Sequence, residues 1–311
     1  MSPYLQDIAA YTGQSECYES SSELIEKLLG IQISDSTIHR VCQRWGDVSE
    51  KLLTEERTEE VDTERLKVDE VVYAHCDGGM LLTRTDAWKE VKVGRVYRSA
   101  ELMKAQENRG FIKDSWYVFH IGGHEEFENK MSEYLDQYEK LQERLIFIVD
   151  GAKWINNWIT AEYPKAQQIL DYYHAIEHFS TFSKLSLSKD GQRQKWLEAI
   201  KEHLLKRGVA EITTKIDEIK CKTKRQQEAK RKLLVYIENN KHRMDYPKYK
   251  SNGLQIGSGA MEAAHRTLVQ RRCKLSGQRW TIPGATRIIN LRNLRMNGQW
   301  HRLTNVLRKT A

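Results

Sequence analysis

Three carboxylates in three different settings carry the chemistry this chain could do. Asp77 ends the apolar run VVYAHCDGG, Asp150 ends RLIFIVDGA, and Glu262 sits one turn into the helix opened by IGSGAMEAAHRTLVQRR. An apolar strand that stops at Asp-Gly delivers a carboxylate to the edge of a sheet, where the glycine allows close approach. Two such strands and a helix-borne glutamate can converge on hard divalent cations, which prefer oxygen ligands. Paired ions held that way drive in-line displacement at a phosphodiester. Each acid also has a plainer reading. Asp77 and Asp150 both precede glycine, as in a simple turn after a strand, and Glu262 with Arg266 is an ordinary i, i+4 ion pair on a helix. Val269 and Cys273 continue the stripe of Glu262 and Arg266, which predicts a half-buried face. A carboxylate aimed at a core needs a partner, and a metal ion would supply one.

Seven stretches run in order from about Asp77 to Trp300: CDGGM, WKEVKVGRVYR, FIVDGAKWINNWI, ILDYYHAIEHF, HRMDYPKY, IGSGAMEAAHRTLVQRR and NLRNLRMNGQW. Together they resemble the DDE-type transposases of bacterial insertion sequences, in the branch related to Mutator-like elements. MSPYLQDIAAYTG and GIQISDSTIHRV near the start carry a weaker likeness. The resemblance implies an RNase H-like domain that holds the three acids, with a helical insertion between the second and the third. The intervals of 73 residues from Asp77 to Asp150 and 112 to Glu262 leave room for that insertion. It implies that Asp77, Asp150 and Glu262 hold Mg²⁺, with Mn²⁺ able to substitute. The activity implied is cleavage of DNA strands and their transfer, on double-stranded element ends and target, by a homo-oligomer assembled on DNA. Relatives carry a longer N-terminal DNA-binding region, so a truncated copy is one expectation. The alternative in the same class is an RNase H-like DNA-binding protein or nuclease that no longer transposes.

His174 admits three readings. Asp171-Tyr-Tyr-His174 is similar to the Cys/Asp-x-x-His motif of that family, which would place His174 beside the catalytic acids. The run His174-Ala-Ile-Glu177-His178 also matches the H-x-x-E-H zinc-peptidase pattern, with two histidines on one helix face and Glu177 as base. A third zinc ligand is not identifiable from the sequence. The plainest reading is a pair of polar histidines at a helix start beside Tyr172 and Tyr173.

Charge is distributed unevenly. The net charge is +7, yet residues 201–311 hold 26 Lys/Arg against 8 Asp/Glu, while the first 200 hold 24 against 35. Such asymmetry points to a polyanion facing the C-terminal part, or else to solvated helical faces. The candidate DNA contacts are Lys222, Lys224, Arg225, Arg231 and Lys232, with Arg266, Arg271, Arg272, Lys274 and Arg279 around and beyond Glu262. Lys89, Lys92 and Arg95 could reach DNA near Asp77, and Trp280 could stack on an exposed base or pack inside. Five scattered cysteines with no CxxC pair argue for a reducing compartment. No apolar stretch approaches the roughly 18–20 residues of a membrane span, and no secretion signal is evident. These features predict a cytoplasmic, nucleoid-associated protein with no membrane partner.

The elements that must position the acids fall into four sections. Residues 1–66 read as a helical N-terminal segment. SSELIEKLLG places Leu24, Leu28 and Leu29 on one face, with Ser21 or Ser22 as a cap and Gly30 as the stop. The next helix carries Thr37, His39, Arg40 and Arg44, compatible with a helix-turn-helix or with any helical hairpin. SEKLLTEERTEEVDTERLK then reads as a charged helix or linker. Residues 67–179 form the first part of the core. VDEVVYAHCDGG, WKEVKVGRVYRSA and SWYVFHIGG predict three strands, followed by a helix from about Glu125 to Leu141. RLIFIVD is a buried strand, and the helix after it packs Trp154 and Trp158 into the core before the strand AQQILDYY. Residues 180–250 are a basic all-helical insertion with three thin apolar stripes, and 251–311 return with the Glu262 helix and the C-terminal helices. The predicted class is therefore α/β: an RNase H-like mixed sheet with a large helical insertion and a helical N-terminal segment.

Overall fold

The computed structural model describes residues 1–55, 66–67, 69–106 and 109–309. Three helices open the chain: α1 (Pro3–Gly13), α2 (Tyr18–Leu29) and α3 (Asp35–Glu55). Ser2 caps α1 with proline in its first turn, and α2 stops at Gly30, which takes φ 67°. Residues 56–65 of the acidic stretch read as a helix or linker lie outside the described residues. Then follow β1 (Val72–Leu82), β2 (Trp88–Arg98), β3 (Leu102–Gln106), β4 (Arg109–Ile112), β5 (Trp116–Ile121) and α4 (Glu125–Leu135). After these come β6 (Leu145–Val149), α5 (Lys153–Glu162), β7 (Gln167–Leu170) and α6 (Tyr172–Ser186). The insertion supplies α7 (Asp190–Arg207), α8 (Ile212–Asp217), α9 (Lys224–Asn240) and α10 (Tyr246–Ser251). The chain closes with α11 (Gly259–His265), α12 (Arg271–Cys273), α13 (Ile282–Met296) and α14 (Trp300–Lys309).

The protein is thus mixed α/β with a five-stranded sheet of order β5-β2-β1-β6-β7. β2 and β5 are antiparallel, with Gly94 opposite Val118, whereas β6 and β7 are parallel, with Ile148 opposite Ile169. The hairpin β3–β4 forms a separate two-stranded sheet between the second and third expected strands. The helix expected to reach Leu141 stops at Leu135 and tightens into a 3₁₀ segment that kinks at Leu141. No helix among the described residues is long and apolar enough to cross a membrane.

Two compact units divide the chain. The first comprises Met1–Val72, Asp77–Lys140 and Met261–Ala311; the second comprises Tyr73–Cys76 and Leu141–Ala260. In the first unit the N-terminal helices share a core with α13 and α14 through Ile25, Ile38, Trp45, Ile288 and Leu303. Leu24, Leu28 and Leu29 are exposed, because α2 begins at Tyr18 and turns Ser21 and Ile25 inward. In the second unit Phe147, Trp158 and Tyr163 interlock with ring centroids 5.5–5.8 Å apart. Of the three insertion stripes, Ile200, Leu204, Ile212, Ile216, Ile219, Leu233 and Ile237 are buried, whereas Trp196, Leu197 and Leu234 are half-buried.

Gly46 lets α3 and α13 meet. A Cβ at that position would stand 2.5 Å from Cβ and 2.6 Å from the carbonyl oxygen of Arg287. Alanine in place of a helical glycine ordinarily gains up to about 1 kcal/mol, but overpacking against backbone costs about 1–3 kcal/mol. Gly46→Ala should therefore lower stability in a urea melt, and an unchanged or raised midpoint would refute the close contact.

Candidate functional site

Asp77 lies in mid-strand rather than at a strand end. β1 is fully buried from Val72 to Cys76 and then alternates, so the chain continues past Asp77 as a half-exposed strand. Oδ1 of Asp77 accepts the N–H of Gly78 at 2.7 Å. Oδ2 lies 3.6 Å from Nε2 of His265, a buried residue at the end of α11. The close approach that the glycines allow is made by the chain itself. A Cβ on Gly79 would stand 3.0 Å from Cε1 and Nδ1 of His265. Burial holds the His265 imidazole below its ordinary pKa; a hydrogen bond to the Asp77 backbone opposes that shift, and Lys274 adds to it. Sequence reasoning missed His265, although its place three residues after Glu262 was a visible signal.

Glu262 faces outward. Its side chain is 75% exposed and receives Arg266 at 2.8 Å, so the half-buried face expected for this pair is not formed. The cause is a π-helical turn over Arg266–Gln270 between α11 and α12. A π turn advances the helix face less per residue than an α turn, so Val269 and Cys273 come to the core while Glu262 does not. The buried stripe runs instead through Met261, Ala264, His265, Leu268 and Arg272. Arg292 of α13 fastens this turn from behind, donating to the carbonyls of Leu268 at 2.8 Å, Thr267 and Gln14 at 2.6 Å.

In the second unit Asp150 directly follows β6 and accepts the N–H of Ala152 at 2.9 Å, at the opening of α5. Its charge acts on His178, Tyr236 and Arg243. Asp171 is a structural acid: it is buried, caps α6 through the N–H of Tyr173 at 2.8 Å, and accepts the Ser258 hydroxyl. His174 is partly exposed, with Nδ1 3.8 Å from Glu177 and its ring 5.2 Å from that of His178. The His178 ring stacks on Tyr236 at 3.8 Å.

Carboxylate oxygens such as those of Asp77, Asp150 and Glu262 are the donor type that hard cations take. Among the described residues, no group of three or more His, Cys, Asp or Glu stands close enough to hold an ion. The same finding leaves the zinc reading of His174 and His178 without a third ligand.

The candidate DNA contacts separate by burial. Arg266, Arg271, Lys274 and Arg279 are exposed in the first unit, and Lys222, Lys224, Arg225, Arg231 and Lys232 in the second. Arg231 and Lys232 share Glu228. Arg272 is not exposed as these are: it is 1% exposed, with its guanidinium between the rings of Tyr18 and Trp280. Lys92 and Arg95 are also buried, because they sit on the covered stretch of β2. Lys92 meets Glu90 and the Gly122 carbonyl, and Arg95 meets Ser115 and the ring of Tyr117. Trp280 donates its Nε1–H to the Cys273 carbonyl at 3.1 Å, which favours the interior reading over stacking on a base.

Burial is the leading cause that holds His39, His120, His178 and His242 below their ordinary pKa. Such groups bind protons more readily in the unfolded chain, so stability should fall as pH drops below about 6.5. Denaturation midpoints at pH 7.5 and pH 5.5 check this, and a higher midpoint in acid would contradict it.

Comparison with protein-family models gives no match, and comparison with curated proteins gives none either.

Proposed function

We propose that the chain is a DDE-type DNA transposase with an RNase H-like catalytic core, cutting DNA strands and joining them to a target. The observation that carries this reading is the placement of Asp77 on β1 and Asp150 immediately after β6, strands that neighbour each other in the order β5-β2-β1-β6-β7. Antiparallel pairing on the β5–β2 side and parallel pairing on the β6–β7 side support the fold assignment. Fold alone leaves function open, so the residues must carry the chemistry.

Asp77, Asp150 and Glu262 would hold Mg²⁺, or Mn²⁺ in its place. Held by these residues, the metal would supply Lewis-acid charge for phosphodiester chemistry. The protein's own groups then have separate tasks. His265 stands against Asp77 and limits where its carboxylate can turn. Arg266 pairs with Glu262 and would exchange that partner for a DNA phosphate. Arg271, Lys274 and Arg279, with the basic start of α9, would follow the backbone of double-stranded DNA.

Nicking of duplex DNA by the purified protein tests this directly: it should require Mg²⁺ or Mn²⁺ and stop when a chelator is added. Nicking that persists in the chelator would overturn the proposal. His174 refines the test. As a donor to the phosphate it supplies one hydrogen bond, worth about 1.5–3 kcal/mol to a charged group. His174→Ala should therefore slow cleavage about 10–100-fold while metal content stays unchanged. Loss of stoichiometric zinc from both His174→Ala and His178→Ala would transfer the site to the peptidase reading.

A further inference from the structure

The first unit contains a cleft of about 630 Å³ that none of the three carboxylates lines. Its walls come from the start of α3, from Arg84 beyond β1, and from the segment between α12 and α13. Arg272 lines it with an N–H donor that has no partner among the described residues. Its Nε donates to the Gly13 carbonyl at 2.9 Å, and its guanidinium is fixed between Tyr18 at 4.7 Å and Trp280 at 4.9 Å. Nη1 has no hydrogen-bond partner among the described residues, although Arg272 is only 1% exposed. A buried cation with an unused N–H is costly unless an anion meets it.

Other features of the cleft point to the same kind of occupant. Arg84 and Arg279 stand exposed at its rim, tied together by the Arg84 Nε bond to the Arg279 carbonyl at 3.1 Å. His39 also lines the cleft, and its pKa is held low first by burial and then by the charges of Arg84 and Arg272. The 21-residue helix α3 opens into the cleft at Asp35 and Ser36, presenting the positive end of its dipole. Among the described residues of the lining Asp35 is the one acid, and its Oδ1 accepts the Ser36 N–H at 2.6 Å. Exposed Arg40 and Arg44 continue from Ser36 along α3 at i+4 spacing, a row longer than one small anion requires.

We propose that this cleft seats a backbone phosphate of double-stranded DNA, with Arg84, Arg272, Arg279 and the start of α3 as its donors. The choice of DNA as occupant rests on the transposase reading; the cationic cleft does not. This would be an anchoring contact, separate from the site of strand cleavage.

The test measures binding of a short fluorescent duplex against salt concentration for the full chain and for Arg84→Ala/Arg279→Ala. Both side chains are exposed, so the variant should fold. Losing one seated phosphate should weaken binding about tenfold and reduce the log–log salt slope by about 0.9. Ser36→Glu, which suits a helix start yet repels a phosphate, should weaken binding in the same direction. An unchanged slope in the double variant would overturn the proposal. So would saturable binding of inorganic phosphate, abolished by that variant, when duplex binding is unaffected, since the cleft would then serve free phosphate. If the slope changes as expected but the wild-type protein never cleaves DNA, the cleft stands and the transposase reading fails.

Discussion

Asp150→Ala, Asp77→Ala and Glu262→Ala should each abolish DNA cleavage while leaving DNA affinity nearly intact. The expected loss is about 10³-fold or more, because several kcal/mol of charge stabilisation disappear with each ligand and every 1.36 kcal/mol is tenfold in rate. Affinity should hold because it rests on cations elsewhere, on Arg271, Lys274 and the start of α9. None of the three substitutions should unfold the protein. Asp150 contributes one hydrogen bond to the Ala152 N–H, and Glu262 one exposed ion pair, whose worth is about 0–1 kcal/mol. Cleavage rates, filter-binding affinities and melting curves on the same preparations separate these effects. A folded variant that cleaves at the wild-type rate would remove that acid from the site.

Arg292→Ala is expected to be the most destabilising single substitution considered. Arg292 is buried, and burial pushes its pKa down to about 10. Its guanidinium satisfies the carbonyls of Leu268, Thr267 and Gln14 at once. Removing it strands three acceptors, each costing about 1–3 kcal/mol when left unpaired, for a loss of about 3–5 kcal/mol after partial relaxation. The π turn behind Glu262 should loosen with it, so activity should fall further than stability alone accounts for. Urea denaturation of Arg292→Ala and Arg292→Lys decides the matter, with lysine recovering part of the loss. A change below about 1 kcal/mol for alanine would mean that these bonds do not hold the turn.

The sheet was legible where the sequence is monotonous. RLIFIVD has no polar interruption, and it is β6 with every residue from Leu145 to Val149 buried. The insertion stripes were legible for the same reason, since Ile212 and Ile216 recur at one helical turn among charged neighbours. Reading failed where backbone geometry changes the period. Nothing in RTLVQ announces a π turn, so the face of Glu262 was misassigned by part of a turn. The β3–β4 hairpin was passed over because LMKAQ and RGFI carry polar and glycine residues rather than a β-branched run. Asp77 was taken as a strand end because Asp-Gly-Gly resembles a turn, yet β1 runs on to Leu82. Buried cations were the other blind spot. Arg272, Lys92 and Arg95 look like surface residues by type, and only tertiary packing reveals the carbonyls, hydroxyls and rings that receive them. The three acids stood out as candidates by their setting, but among the described residues no group of three or more His, Cys, Asp or Glu is gathered closely enough to hold an ion.

The proposed role of Asp77, Asp150 and Glu262 in cutting and joining DNA is tested most directly by a strand-transfer assay with Mg²⁺, using labelled duplexes that carry the inverted repeats flanking the gene and a plasmid as target. The wild-type chain should release 3′-hydroxyl ends and join them to the plasmid, and Asp150→Ala should yield neither product. Joined products from Asp150→Ala at the wild-type level, or no cleavage by folded wild-type protein in either Mg²⁺ or Mn²⁺, would contradict the claim.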